Sequence, residues 1–374
     1  MPPTIHLALT HDWELRGDGS GDIEEIQFAA LRRLLDIYER AGARTTFLPD
    51  VMQQIRFRSL EAEHPELRAW ANSWDEHVRA AFRQGHDIQL HLHPQWLNGE
   101  YENGRWRLRG DWSILNYDRR TARLMLEDAR NYLEQLLKPI DAGYRCLAFR
   151  AGALAAAPSD HLFQTLTDLG IQLDVSVAPG LVVSDANLKL DYRNCEEKFL
   201  PFYPALNDAR KISHEPGPVV CVPLNHFFGS RRAVTRQNLA LVRKRIGADA
   251  PAYQPNRVAP ARGSRLTAAF EKLIKPAMQR KYFVSDTGRL DYPLLKEMLA
   301  SIRRRACDSG LSEVPVVLTN HPKDIRDWAG LERFVAEVAE AKDIEFIRLS
   351  ELVAKLRGGE FPVMRGGGKS VPSS

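Results

Sequence analysis

The chain has 374 residues, of which 44% are hydrophobic and 27% are charged, and its formal net charge is +4. This composition is ordinary for a globular enzyme with a substantial core. No stretch of about 18 apolar residues is present, which excludes a membrane-spanning helix. The first ten residues lack a basic region and a long apolar region, so no secretory signal is expected.

The four cysteines are far apart in the sequence and form no C-x-x-C pair. They are Cys146, Cys195, Cys221 and Cys307. We expect reduced and mostly buried thiols, as in a cytoplasmic protein.

Positive charge is concentrated between Arg231 and Lys281. This segment holds thirteen Lys or Arg residues, opposed only by Asp249 and Glu271, and therefore carries +11. The rest of the chain carries −7, which restores the total of +4. Such local charge indicates a local anionic partner rather than general nucleic-acid binding. A phosphate-linked sugar is one such partner, and peripheral contact with an anionic membrane surface is another.

Apolar strand-like runs alternate with amphipathic helical runs along the first two hundred residues. The predicted strands cover residues 5–9, 45–48, 88–93, 147–149 and 171–177, and the predicted helices cover residues 23–41, 67–83, 122–137 and 161–169. The pattern resumes near the C-terminus, with helices at 292–305, 331–341 and 352–356 and strands at 316–319 and 344–347. This alternation predicts parallel strands with crossover helices.

The number of repeats, about seven, favours an α/β fold with a distorted (β/α)7-type barrel over an open sheet. The predicted organisation is a first barrel part at 1–180, a basic insertion at 181–290, a second barrel part at 291–357 and a disordered tail at 358–374. Within the insertion we expect a strand near 219–222 and helices near 237–246 and 268–278.

Polar residues follow the first and third predicted strands. Side chains at i and i+2 of a strand share a face, so Asp12 and Glu14 lie together at the end of the first strand. In the third strand, His91 and His93 share a polar face that we expect to line the barrel lumen. Two imidazoles at this spacing can bind one metal ion. Capping of the loop by Asp12 and purely structural histidines are the alternatives.

Three further charged or titratable residues end predicted strands. They are Arg150, Asp174 and His321. Because unpaired charges at these positions would be costly, the simplest hypothesis is that they meet at one site. Solvated surface charges and a hydrogen-bonded core histidine are the alternatives.

These motifs, in this order, resemble those of the polysaccharide deacetylases with NodB homology, carbohydrate esterase family four. The resemblance covers about residues 4–180 and 292–356, and Gly85 to His91 is similar to the family's Gly-His-Glu-Ile-x-x-His. Phe149-Arg150-Ala151-Gly152 is similar to its arginine motif. Within the family, the sequence resembles a WbmS-like branch linked to surface-polysaccharide synthesis.

The resemblance implies one divalent ion, usually zinc, and assigns residue roles. It implies Asp12 as the catalytic base and Glu14, in place of the adjacent Trp13, as a metal ligand, although Asp12 could itself be a ligand. His91 is the second ligand. The family's other histidine would fall at Gln95, so His93 is the expected third ligand. Near the position where the family has an aromatic residue that helps form its oxyanion hole, this sequence has Ala153, so a backbone N–H or another side chain would have to serve there.

The implied reaction is hydrolysis of an acetyl group from an N-acetylated or O-acetylated sugar. Asp12 would accept a proton from water, and His321 would protonate the leaving group. Arg150 would orient Asp12, and Asp174 would pair with His321. Two alternatives stay open: a catalytically silent module that binds glycans or nucleotide sugars, and another metal-dependent amidohydrolase or phosphoesterase.

Overall fold

Parallel strands with helices between them form the frame of the molecule. The computed structural model describes residues 2–246 and 281–367. The helices are α1 (Ala30–Arg40), α2 (Val51–Leu60), α3 (Pro65–Arg83), α4 (Arg119–Leu137), α5 (Leu162–Asp168), α6 (Arg231–Ile246), α7 (Tyr292–Ser309), α8 (Trp328–Ala339) and α9 (Leu349–Arg357).

Seventeen strands are present in the described part of the chain, several of them very short. They are β1 (Thr4–Trp13), β2 (Thr46–Pro49), β3 (Asp87–Ile88), β4 (Leu90–Leu92), β5 (Glu100–Glu102), β6 (Arg105–Arg107), β7 (Ala148–Ala151), β8 (Leu173–Asp174), β9 (Val182–Ser184), β10 (Lys189–Asp191), β11 (Pro204–Ala205), β12 (Asp208–Ile212), β13 (Val220–Cys221), β14 (His226–Gly229), β15 (Lys281–Val284), β16 (Glu313–Asn320) and β17 (Ile344–Phe346).

Two parallel sheets form the centre. The first has the order β16-β1-β2-β3, with β17 beside the N-terminal half of β1, and the second has the order β13-β8-β7-β4. Single parallel bridges connect them, from Asp50 to His91 and from Leu224 to Val317. The strands therefore follow one another in a circuit, with β3 and β4 as one interrupted strand. This arrangement confirms the predicted fold class, although the two sheets are joined by single bridges and not by continuous strand pairing.

Inward and outward positions of β1 are distinguished by their hydrogen bonds. His11 Nε2 lies 2.9 Å from the hydroxyl oxygen of Tyr38, on helix α1, so His11 faces the helices. Trp13 Nε1 also faces outward and donates to the Gln27 carbonyl at 2.8 Å. Asp12 bonds instead to Arg150, on β7 of the second sheet. The alternation along β1 therefore directs Asp12 into the lumen.

Periodic apolar faces explain the helices around the sheets. In α4 the buried residues are Ala122, Met125, Leu126, Ala129, Leu133, Leu136 and Leu137, which recur at the three- and four-residue spacing of one helix face.

Among the helices that the structure describes, none has the length and apolar character of a membrane span. Three of the four cysteines are buried, and Cys307 is exposed.

The structure differs from the expected organisation at three points. The strand predicted near 219–222 was expected in an insertion, but β13 pairs with β8 in the barrel sheet. Helix α2, between β2 and α3, was not predicted. The first part of the predicted disordered tail is packed, since Phe361 and Val363 are buried.

The other domain boundaries stay predictions. Helix α6 includes the residues of the helix expected at 237–246 and begins earlier, at Arg231. The helix expected at 268–278 lies outside the described residues, as do residues 368–374.

Helix α8 supplies a stability test. Asp327 caps it, with Oδ1 accepting from the Gly330 N–H at 2.9 Å and Oδ2 from the Tyr292 N–H at 3.3 Å. Asp327→Ala should lower the free energy of unfolding by about 1–2 kcal/mol, because both N–H groups lose their acceptor. Urea titration measures this loss. Asp327→Asn keeps a capping oxygen and should lose much less, so equal losses in both variants would contradict the capping role.

Candidate metal and catalytic site

Glu14, His91 and His93 meet at the C-terminal ends of the strands. Glu14 follows β1 directly, His91 lies in β4, and His93 comes one residue after β4. Glu14 Oε2 lies 3.1 Å from His91 Nε2 and 2.5 Å from His93 Nε2. All three residues are buried, and their ligand atoms lie within 4.8 Å of one another. In the described ranges, no other group of His, Cys, Asp and Glu side chains has this geometry.

The charge balance of this cluster favours a cation. Burial opposes ionisation of Glu14, but His93, Lys323 and His91 hold the pKa of its carboxyl well below the ordinary value. Burial also opposes a charged His91, yet Glu14 and Asp12 raise the pKa of its ring to about 9. The carboxylates therefore stabilise positive charge at His91, where a metal ion could take the place of a proton.

The two histidines differ in what holds their second ring nitrogen. His91 Nδ1 lies 2.9 Å from the Arg150 carbonyl oxygen, which can accept only from an N–H. In the neutral ring the proton therefore lies on Nδ1, and Nε2 has the lone pair that a metal-binding histidine requires. His93 Nδ1 lies 3.1 Å from Gln95 Nε2 and accepts its hydrogen bond. Ligation through His93 Nε2 therefore requires the buried Gln95 amide to turn and present its oxygen.

Asp12 is held by a buried arginine. Arg150 Nη1 donates to Asp12 Oδ1 at 2.5 Å and to Thr319 Oγ1 at 3.2 Å, and its Nε donates to the Val175 carbonyl. Although burial opposes the charged form of Asp12, Arg150, His91 and His321 lower the pKa of its carboxyl. Asp12 is thus an ionised carboxylate, and Arg150 lies where the sequence analysis expected it.

His321 joins the cluster from the end of β16. Its Nε2 lies 3.5 Å from Asp12 Oδ2 and 3.9 Å from Glu14 Oε1. Its Nδ1 lies 2.8 Å from Asp286 Oδ2. Burial opposes the charged ring, but Asp286 and Asp12 raise the pKa of His321.

The predicted partner of His321 was Asp174, and that prediction is wrong. Asp174 accepts from Ser176 Oγ at 2.6 Å and from Ser176 N at 3.1 Å, and Cys221 Sγ lies 3.5 Å from its Oδ2. These partners belong to the second sheet and the loop after β8. Asp174 is therefore a buried, hydrogen-bonded residue of the barrel wall, and Asp286 is the carboxylate that contacts His321.

Sequence reasoning missed three further residues beside the site. Asp286 lies in the segment taken as an insertion, and Lys323 comes two residues after His321. Asp50 follows the second strand and accepts from the His93 N–H at 3.0 Å. The signal for Asp50 and Lys323 was their position just after a strand, the same signal that identified Asp12 and His321. Asp286 is brought to β16 by a single bridge to Thr319.

The loop after β7 closes tightly against the metal cluster. A Cβ on Gly152 would lie 2.6 Å from the Leu92 carbonyl oxygen and 3.1 Å from the His93 ring, so only glycine fits. Ala153 and Leu154 follow with φ of 53° and 60°, a left-handed conformation that is uncommon outside glycine. Ala153 has no polar side chain, so at this position only the backbone can donate a hydrogen bond.

Solved structures of two proteins assigned as polysaccharide deacetylases and of an allantoinase match this chain over almost its whole length. A Mycobacterium smegmatis protein assigned as a polysaccharide deacetylase is 17% identical, with 99% of this chain and 96% of that chain covered and a TM-score of 0.49. A Pseudomonas aeruginosa PAO1 protein with the same assignment is 12% identical, with 96% and 93% covered and a TM-score of 0.47. Puue allantoinase is 12% identical, with 95% and 91% covered and a TM-score of 0.46.

No family model matches the sequence. No curated protein matches it either. At these identities the structural similarity concerns the fold, so a functional proposal has to stand on the residues of the site.

The burial of Asp174 should make the stability of the protein depend on pH. Burial raises the pKa of its carboxyl to about 6, from an ordinary value of 3.8. The folded state then binds this proton more tightly than the unfolded state, so the stabilisation is present below pH 3.8 and is lost as pH rises through 6. The difference corresponds to about 3 kcal/mol.

Asp174→Asn should remove this pH dependence. Urea unfolding of the variant and the wild type between pH 4 and 8 should show the variant gaining stability relative to the wild type as pH rises. Asp128→Asn changes an exposed acid on α4 and serves as the control. A difference between Asp174→Asn and wild type that stays constant across this range would show that Asp174 does not titrate in this way.

Proposed function

We propose that the protein is a metal-dependent deacetylase that hydrolyses the acetyl group of an N-acetylated or O-acetylated sugar. The observation that supports this most directly is the meeting of three sets of residues. A His₂Glu cluster, an ionised Asp12 held by Arg150 and a His321 held by Asp286 lie together, with His321 Nε2 3.5 Å from Asp12 Oδ2 and 3.9 Å from Glu14 Oε1. A metal-dependent hydrolase can use a Lewis acid, a base and an acid in such proximity.

The donor set fits a divalent metal ion. Two imidazole nitrogens and one carboxylate oxygen, all buried, are the ligands of many catalytic zinc sites. Glu14, His91 and His93 would hold the ion, and we propose zinc. When bound, the ion would supply a Lewis acid that polarises the acetyl carbonyl and lowers the pKa of water.

Asp12 is suited to act as the base. Its Oδ1 is occupied by Arg150, whereas Oδ2 faces His321 at 3.5 Å. Because Arg150 keeps the carboxylate ionised and fixed in orientation, Oδ2 can accept a proton from a water molecule that attacks the acetyl carbon. Arg150 itself is fully buried, so it orients Asp12 and does not contact substrate.

His321 is suited to act as the acid. Its Nδ1–H donates to Asp286, which directs Nε2 toward Asp12 and Glu14. Asp286 and Asp12 favour the protonated ring, so Nε2–H can be donated to the departing amine or alkoxide oxygen. The proton accepted by Asp12 and the proton donated by His321 balance over one cycle.

The motif resemblance supports the substrate class. An acetylated sugar in the synthesis of a surface polysaccharide or glycoconjugate, met in the cytoplasm, is the proposed substrate. The basic segment 231–281 supports a phosphate-linked form of that sugar, since Lys and Arg side chains pair with phosphate. Residues 247–280 of that segment lie outside the described residues.

The first test of the proposal is metal content. Wild type should bind one divalent ion per chain, and His91→Ala and His93→Ala should each bind much less, because each loses one of three ligands. Asp12→Asn should keep full content. Elemental analysis after dialysis against Zn²⁺ gives the comparison. Full metal content in both histidine variants would place the ion elsewhere, and two ions per chain would favour another class of metal-dependent hydrolase.

The second test separates Asp286 from Asp174. Acetate release from a panel of acetylated sugars and nucleotide sugars measures turnover. Asp12→Asn should lose roughly 10²–10⁴ in kcat, as general acid–base groups contribute. Asp286→Asn should lose about 10- to 100-fold, since it orients His321. Asp174→Asn is the matched control and should stay near wild type.

Equal losses in the Asp286 and Asp174 variants would contradict the assigned pairing. Metal binding without acetate release from any member of the panel would instead favour a glycan-binding module.

A further inference from the structure

Lys323 reaches into the metal cluster from the turn after β16. Its Nζ lies 2.7 Å from Glu14 Oε1 and 2.8 Å from the Leu15 carbonyl oxygen. Its side chain is 10% exposed. Neither contact was anticipated from the motifs, and the reaction described above makes no use of this ammonium group.

The two oxygens of Glu14 have different partners because of Lys323. Oε2 faces His91 and His93, the other two candidate ligands. Oε1 is held by Lys323 and lies 3.9 Å from His321 Nε2. The neighbouring carboxylate of Asp324 is bonded to Arg289 and does not compete for Lys323. Glu14 therefore offers one oxygen to an ion, while the ammonium group occupies the other.

We propose that Lys323 is a positioning residue that keeps Glu14 a one-oxygen ligand and limits the affinity of the site for its ion. The inference rests on the metal site of the proposed function. The ammonium and the ion share one carboxylate, so their positive charges repel each other at short range in a buried environment. By fixing Glu14 in advance, Lys323 would also reduce the rotational entropy that this side chain loses when it binds an ion, but that effect is smaller than the repulsion between two positive charges on one carboxylate.

A second oxygen from Glu14 would occupy a coordination position. Catalytic metal sites keep one position open for water or substrate, whereas structural sites fill all of them. Lys323 thus maintains the open site at the cost of some metal affinity. A residue that only filled space would leave both the affinity and the coordination number unchanged.

Three substitutions separate charge from hydrogen bonding. Lys323→Met removes both, Lys323→Gln removes the charge but can still donate to Glu14, and Lys323→Arg keeps both. The probe is Co²⁺ alone, with Kd from chelator competition and coordination number from the intensity of its visible absorption bands. Circular dichroism and thermal unfolding identify any variant that does not fold.

Lys323→Met should bind Co²⁺ at least about tenfold more tightly than wild type and show weaker bands, because Glu14 then supplies two oxygens. Lys323→Gln should show the tighter Kd with bands close to wild type. Lys323→Arg should match wild type in both. If Lys323→Met does not fold, Lys323→Gln tests the affinity part by itself.

Unchanged or weaker binding in folded Lys323→Met and Lys323→Gln would overturn the inference while leaving the metal site intact. Failure of the wild type to bind Co²⁺ or Zn²⁺ would overturn the metal site itself, and the inference with it.

Discussion

The buried ion pair between Asp12 and Arg150 is the constraint on which the site depends. Asp12 belongs to β1 of the first sheet and Arg150 to β7 of the second, and backbone bridges join the two sheets at only two described points. Arg150 is fully buried, so its charge needs an acidic partner inside the barrel, and Asp12 is the carboxylate that it contacts directly. The pair therefore connects the sheets and fixes the proposed base at once.

Three other charged groups in the site are compensated by neighbours in the same way. His321 has Asp286, Glu14 has Lys323 and the two histidines, and Asp324 has Arg289. A buried charge is costly unless it is paired or hydrogen-bonded, so these partners limit one another's positions. A metal ion entering the cluster would replace protons on the histidines, and the carboxylate partners would already be in place.

The sequence predicts the part of the site that depends on local alternation. Asp12, Glu14, His91 and His93 follow from side chains at i and i+2 of a strand, and the structure brings them together. The partner of His321 could not be predicted, because it depends on which strands are neighbours. Asp174 ends β8, which pairs with β7 and β13, whereas Asp286 bridges directly to Thr319 of β16. Periodicity shows where a strand ends but not what lies beside it.

The same alternation explains why the second acid is Glu14 and not the adjacent residue. Trp13 faces the helices, where its indole donates to Gln27 and packs against Trp74, so a carboxylate at position 13 would be buried among apolar rings. Position 14 returns to the lumen, one strand step beyond Asp12. The longer glutamate side chain reaches His91 and His93 from there. An acid, an outward-facing apolar residue and a second acid therefore form the pattern that directs both carboxylates into the lumen.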